Sequence, residues 1–285
     1  MTSPTKTRRR TKAAVQAIRD AICEVVAEYQ PMTVRQVFYQ LVTRGVIAKT
    51  EAEYKTTVCR LLVQMRREGQ LPFHWIADNT RWQRKPRTYG SLQAMLDNCQ
   101  ATYRRALWDD QDAYVEVWLE KEALAGVLID VTAKWDVPLM VTRGYPSVSF
   151  LHSAGEAIAD ETREVFVYYF GDRDPSGVDI DRFVERELRE YAPECDLTFQ
   201  RVAVLKHQIE QYGLQTRPTK KSDSRSRSFE GESVEVDAIA PDQLRAICER
   251  WITRHIDQDQ LERTRAVEEA ERETLAQIAG DLDEQ

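Results

Sequence analysis

Apolar positions recur at helical spacing near the start of the chain. Ala14, Ile18, Ile22, Val25, Val26 and Tyr29 fall on one face, and Pro31 ends the run. Thr33 followed three residues later by Gln36 is a capping-box pair. It opens a second helix, VRQVFYQLVTR, with Gly45 placed to close it. The pattern predicts a third helix over Glu51–Glu68, ended by Gly69. The period then shortens. LPFHWIADNTRWQRKPR alternates apolar and polar residues around an Asp-Asn turn signal, which predicts a short hairpin or wing. Three helices and a wing make the winged-helix pattern, whose third helix commonly enters the DNA major groove.

Beyond a connecting helix over Tyr89–Trp108, short apolar runs alternate with helical stretches. Strands are predicted at Ala113–Leu119, Pro138–Thr142, Val165–Phe170 and Leu197–Val204. Between them lie helices at Lys121–Ala133, Phe150–Glu161 and Asp179–Tyr191. This alternation predicts an α/β fold with a parallel sheet covered on both faces, and sites at the carboxyl ends of its strands. Residues 216–234 are polar and partly basic, which suits either a solvated linker or a DNA-contacting loop; Pro241 onward is helical with an acidic tail. The organisation expected is a basic arm (1–12), a DNA-binding module (13–90), a connecting helix (91–112), an α/β domain (113–210) and a polar loop with a C-terminal helical extension (211–285).

Charge sharpens this division. The net charge is −7, but residues 1–90 carry 17 Lys and Arg against 7 Asp and Glu, and the rest carries 23 against 40. A basic head suits a polyanion-binding module, and an acidic body suits metal-binding carboxylates or ordinary solvated surface. No apolar run approaches a membrane span, so no membrane is expected. The N-terminus lacks an apolar signal region. The five cysteines are scattered with no CxxC pair, so reduced thiols, a cytoplasmic location and no zinc site are expected.

The candidate chemistry lies after two strands. Gly171-Asp172-Arg173-Asp174-Pro175-Ser176-Gly177 follows VFVYYF directly. In an extended segment, carboxylates at i and i+2 point the same way and suit one hard cation such as Mg²⁺. Alternatively, Asp174 caps the next helix, with Pro175 in its first turn, and Asp172 is a turn residue. Glu120 ends an earlier strand, where it is either a third acid at the same sheet end or a solvated residue at a helix start. In the basic head, Arg35 and Tyr39 lie at i and i+4, on a face predicted to be more exposed than the Val34, Val37, Phe38 and Leu41 stripe. Tyr39 is then either a nucleophile, whose phenol needs a nearby cation to act near neutral pH, or a tyrosine packed at the helix edge.

LEKEA followed about 50 residues later by GDRDPSG, with RGYPSVSF between them, resembles the Toprim domain. The DxDPxG form resembles one branch in particular, the topoisomerase VI A subunit and its relatives that make meiotic double-strand breaks. The resemblance covers roughly residues 13–210, and the length resembles that of reduced A-like proteins of mobile elements. It implies a winged helix joined to a Toprim domain, with Mg²⁺ held by Glu120, Asp172 and Asp174. The family's Arg-acidic-x-Tyr-Tyr motif aligns with Arg35-Gln36-Val37-Phe38-Tyr39. Tyr39 then stands as the attacking tyrosine and Arg35 beside it, with Gln36 and Phe38 in place of the acid and the first tyrosine. The implied activity is DNA cleavage by transesterification, leaving a 5′-phosphotyrosyl link. The implied partners are double-stranded DNA, a second copy in a homodimer and, for strand passage, a separate ATPase subunit, since no P-loop is present. A Toprim nuclease using water and a non-catalytic DNA-binding protein are the competing expectations. Glu232, Glu235 and Asp237 have no assigned role at this level.

Overall fold

The computed structural model describes residues 10–77, 86–218, 229 and 231–283, with side chains to 280. The chain is mixed α/β. Helix α1 (Lys12–Tyr29) is capped by Thr11 and buries Ile18, Ile22, Val25 and Val26, the stripe its sequence predicts. Helix α2 (Val34–Thr43) opens on the expected capping box: Thr33 Oγ1 accepts from the Gln36 amide at 3.1 Å, and Gln36 Oε1 accepts from the Thr33 amide at 2.9 Å. Gln36 is therefore occupied in holding the helix start. The third helical stretch begins with a wider π-helical segment at Glu53–Cys59 and continues as α3 (Arg60–Arg67). Gly45 and Gly69 end these helices in the left-handed conformation, at φ of 69° and 72°.

The predicted hairpin is only partly within the described residues. Phe73–Trp75 forms a 3-10 turn, and Ile76 makes a single parallel bridge to Met32. Residues 78–85 lie outside the described residues.

After α4 (Leu92–Thr102), which is shorter than the predicted connecting helix, come β1 (Ala113–Leu119), α5 (Ala125–Lys134), β2 (Leu139–Val141), α6 (Val148–Ala159), β3 (Glu164–Phe170), α7 (Pro175–Tyr191), β4 (Leu197–Ala203) and α8 (Lys206–Gln211). All pairings in the sheet are parallel and the strand order is β2-β1-β3-β4. Alternate side chains of β1 and β3 face opposite ways. Val115, Val117, Leu119, Tyr168 and Phe170 share one core with α5 and with α9 (Pro241–Thr253). Trp118, Val165, Val167 and Tyr169 share the other with α6 and α7. Helix α10 (Gln258–Asp283) follows α9 and packs on α4. No helix among the described residues is long and apolar enough to cross a membrane.

This strand order has a consequence for function. From β1 the chain moves to β2 on one side; it then crosses back over β1 to β3 and continues to β4 on the other. The two directions diverge between β1 and β3, and in open parallel sheets ligands bind in the crevice at that divergence, outside the strands' carboxyl ends.

Candidate functional site

Glu120 follows β1 and Asp172 follows β3, so both acids stand at the divergence point. The Glu120 amide donates to the Phe170 carbonyl at 2.9 Å, extending the ladder by one bond. Glu120 Oε2 accepts from the Asp172 amide at 2.9 Å. Two glycines make this fit possible. A Cβ at Gly171 would fall 2.7 Å from Glu120 Oε2 and 2.5 Å from Tyr169 Cε1, and one at Gly177 would fall 2.1 Å from the Asp172 carbonyl oxygen. The loop between these glycines is also held from below. Arg201 of β4 donates to the carbonyls of Gly171 (2.9 Å), Asp172 (3.0 Å) and Gly177 (2.7 Å) while pairing with Asp181.

Asp174 stands apart from the pair. Its Oδ1 accepts from the Gly177 amide at 2.8 Å as the N-cap of α7, with Pro175 in the first turn; its Oδ2 is 3.6 Å from Arg217. Among the described residues no three His, Cys, Asp or Glu side chains form a metal-holding group. Of the three expected acids, Glu120 is joined to Asp172 through the Asp172 amide, and Asp174 caps α7.

The remaining neighbours come from the far end of the chain. Val236 donates its amide to Asp172 Oδ1 at 2.9 Å. Lys121 Nζ lies 3.0 Å from Asp172, 3.2 Å from Glu235 and 2.7 Å from Asp237. Glu235 also meets Arg35 at 3.1 Å and Arg217 at 2.9 Å, and Asp237 Oδ1 accepts from the Thr33 hydroxyl at 3.2 Å. Three carboxylates (Asp172, Glu235, Asp237) and three cations (Lys121, Arg35, Arg217) form one charge network. It links the α2 start to the sheet end. Lys121 takes this place because its backbone is still extended (φ −102°, ψ 111°). The helix predicted from Lys121 starts instead as a 3-10 turn at Glu122–Leu124 and becomes α5 at Ala125.

Burial sets the protonation of these groups. Burial, and then the neighbouring charge of Asp172, push Glu120 up to about 7. Burial also raises Asp172, opposed by Lys121. Burial alone would raise Glu235, but Lys121, Arg35 and Arg217 together hold it below the ordinary range. For Lys121, burial is outweighed by Asp237, Asp172 and Glu235, which keep the ammonium charged.

Tyr39 is not on an exposed face. It is 4% exposed, in the α1–α3 core, with Phe38 edge-on at 5.4 Å and Lys49 Nζ 5.4 Å from its ring centroid. Burial and then Glu235 push its phenol well above the ordinary value, against Arg35 and Lys121. The turn at Val236–Ala238 packs on α2, and Ala238 touches both the α1–α3 core and the sheet core. Tyr39 itself is buried within the α1–α3 core, where Phe38 and Lys49 flank its ring, and a single-helix pattern does not reveal that packing. Arg35 is half-buried, 4.5 Å from the Tyr54 ring centroid and paired with Glu235.

The donor chemistry of the pair suits Mg²⁺. Glu120 and Asp172 offer hard oxygen ligands, and Mg²⁺ usually takes one or two protein carboxylates. Lys121, Arg201, Glu235 and Asp237 went unassigned in the sequence; of these only Lys121, beside Glu120 in LEKEA, carried a local signal.

Compared with protein-family models and with curated proteins, the chain matches none.

Proposed function

We propose that this protein cleaves double-stranded DNA by Mg²⁺-assisted tyrosine transesterification, in the manner of the topoisomerase VI A-like family, with residues 13–90 acting as a winged helix and residues 113–210 as a Toprim domain. The observation that carries the reading is the placement of Glu120 and Asp172 at the divergence point of a parallel sheet, tied through Lys121 and Glu235 to the helix that bears Arg35 and Tyr39.

In the reaction proposed, the phenol oxygen of Tyr39 forms a bond to a DNA phosphorus and loses its proton as the bond to the 3′ oxygen breaks. A 5′-phosphotyrosyl link and a free 3′ hydroxyl result. Glu120 and Asp172 would hold Mg²⁺, which when bound neutralises charge building on the phosphate oxygens. Arg35 would grip a phosphate through its planar donors. Arg35 is paired with Glu235 and Tyr39 is buried in the α1–α3 core, so cleavage requires both to be freed. One site cuts one strand; a double-strand break therefore calls for a homodimer, and strand passage calls for a separate ATP-hydrolysing partner.

The burial of Tyr39 favours a second reading, a metal nuclease that uses water and forms no covalent adduct. One assay separates the two. Supercoiled plasmid is incubated with protein and Mg²⁺, stopped in denaturant, and run with and without protease, alongside Tyr39→Phe and Asp172→Ala. Cut DNA that carries protein until digestion, abolished by both substitutions, is the expected result. Cutting by Tyr39→Phe without an adduct selects the nuclease, and no cutting with or without Mg²⁺ rejects both.

A further inference from the structure

On the outer side of β4, a second recess opens at the same end of the sheet. Leu205, His207 and Gln208 form one wall and Arg250, Trp251 and Arg254 of α9 the other, around about 370 Å³. This volume is in the range of small-molecule sites. Its position is fixed by the ladder that continues past the strand ends: Gly171 donates to Ala203 at 2.8 Å, and Val204 donates to Gly171 at 2.9 Å. The recess thus begins one strand away from the Glu120–Asp172 pair.

Its chemistry differs from that of the surrounding acidic body. Among the described residues no carboxylate lines it. Arg250, Arg254 and His207 are exposed, and none makes an ion pair among the described residues. Trp251 is held from behind by Tyr168, with ring centroids 4.9 Å apart, and carries the Arg254 guanidinium 4.7 Å from its ring. Gln208 is committed to the frame, donating to the Val202 carbonyl at 2.9 Å and accepting from the Leu205 amide at 2.8 Å. The recess therefore combines an indole plate with two exposed arginines on a firm floor. The Arg254 guanidinium lies over the indole, and moving it onto a phosphate would uncover that face for a base.

We propose that this recess binds a nucleotide, its base against Trp251 and its phosphate between Arg250, Arg254 and His207. Base–aromatic stacking combined with a cationic track is the recognition mode of single nucleic acid strands. The nucleotide comes either from a free mononucleotide or from a DNA strand running past the acidic pair. The inference does not rest on cleavage, since the recess would hold the nucleotide whether or not a strand is cut.

The test uses the full chain in EDTA. The Trp251 indole N–H resonance is assigned by its loss in Trp251→Phe, then followed while thymidine monophosphate or a short oligothymidylate is added. Movement with the mononucleotide identifies a free-nucleotide site; movement with the strand alone identifies a DNA subsite. Trp251→Ala, which removes the stacking face, should weaken whichever ligand binds by about tenfold. For the strand it should leave the salt dependence unchanged, whereas Arg250→Gln/Arg254→Gln should lower the slope of log affinity against log salt by about 1.4. The two arginines are surface side chains, so that variant remains informative if Trp251→Ala folds poorly. An indole resonance unmoved by both ligands, or equal affinities in parent and variants, overturns the proposal. Cleavage in the plasmid assay would stand untouched by that failure.

Discussion

Replacing Lys121 with Met tests the charge network most directly. The ammonium touches three carboxylates, at 2.7, 3.0 and 3.2 Å, and its side chain is only 24% exposed. Methionine keeps the length and removes the charge. The three carboxylates do not suffer equally. Glu235 retains Arg35 and Arg217, and Asp172 retains the Val236 amide. Asp237, 3% exposed, retains only the Thr33 hydroxyl among the described contacts, so the stranded charge falls mainly there. Removing one partner from a buried ion pair typically costs 3–5 kcal/mol. The partial exposure of Lys121 and the spare cations on Glu235 place the expected loss near the lower end, about 3 kcal/mol. For a chain of this size that lowers Tm by about 5 °C. The assay is urea unfolding followed by circular dichroism and tryptophan fluorescence, with the slope against urea unchanged if only stability has moved. A cycle with Asp237→Asn assigns the cause: in the Lys121→Met background it should restore about 2 kcal/mol by removing the stranded charge. Lys121→Met within about 0.5 kcal/mol of the parent, or Asp237→Asn having the same effect in both backgrounds, would refute the reasoning.

Two further substitutions probe the pair itself. Gly177→Ala places a methyl 2.1 Å from the Asp172 carbonyl, a backbone atom already held by Arg201, so the loop must distort; a loss of about 3 kcal/mol or more in thermal unfolding is expected, and a near-neutral result would show the loop to be soft. For Glu120, the folded-state value of about 7 lies above the ordinary 4.5, so its contribution is fully present below about pH 4.5 and is lost as pH rises through about 7. Glu120→Gln should therefore flatten a decline of up to about 3 kcal/mol across that window, read as stability against pH. Glu235, held low, acts in the opposite sense: its contribution is present above its ordinary value and is lost on further acidification.

Local signals in the sequence were reliable wherever neighbours along the chain decide the structure. The limits of β1, the Thr33–Gln36 capping box and the Asp174–Pro175 start of α7 all depend on residues within a few positions. The strand alternation also located Glu120 and Asp172 at one end of a parallel sheet. What could not be read locally was the partner of each acid. Lys121 looks like the first residue of a helix until Asp172, Glu235 and Asp237 hold it in extended backbone. Arg201 reads as one polar position in β4, and only the folded loop gives it three carbonyls. Tyr39 reads as semi-exposed because its burial comes from packing between the N-terminal helices and against Lys49.

The packing of the Val236–Ala238 turn on α2 also bears on how the chain is made. Arg35 and Glu235 are 200 residues apart, and Thr33 and Asp237 are 204 apart. At 5–20 residues synthesised per second, the N-terminal helices emerge roughly 10–40 s before the segment that closes over them. During that interval Arg35 has no Glu235 and Thr33 has no Asp237. Nascent chains stalled before residue 233 would therefore display the start of α2 without the carboxylates that close over it in the completed protein.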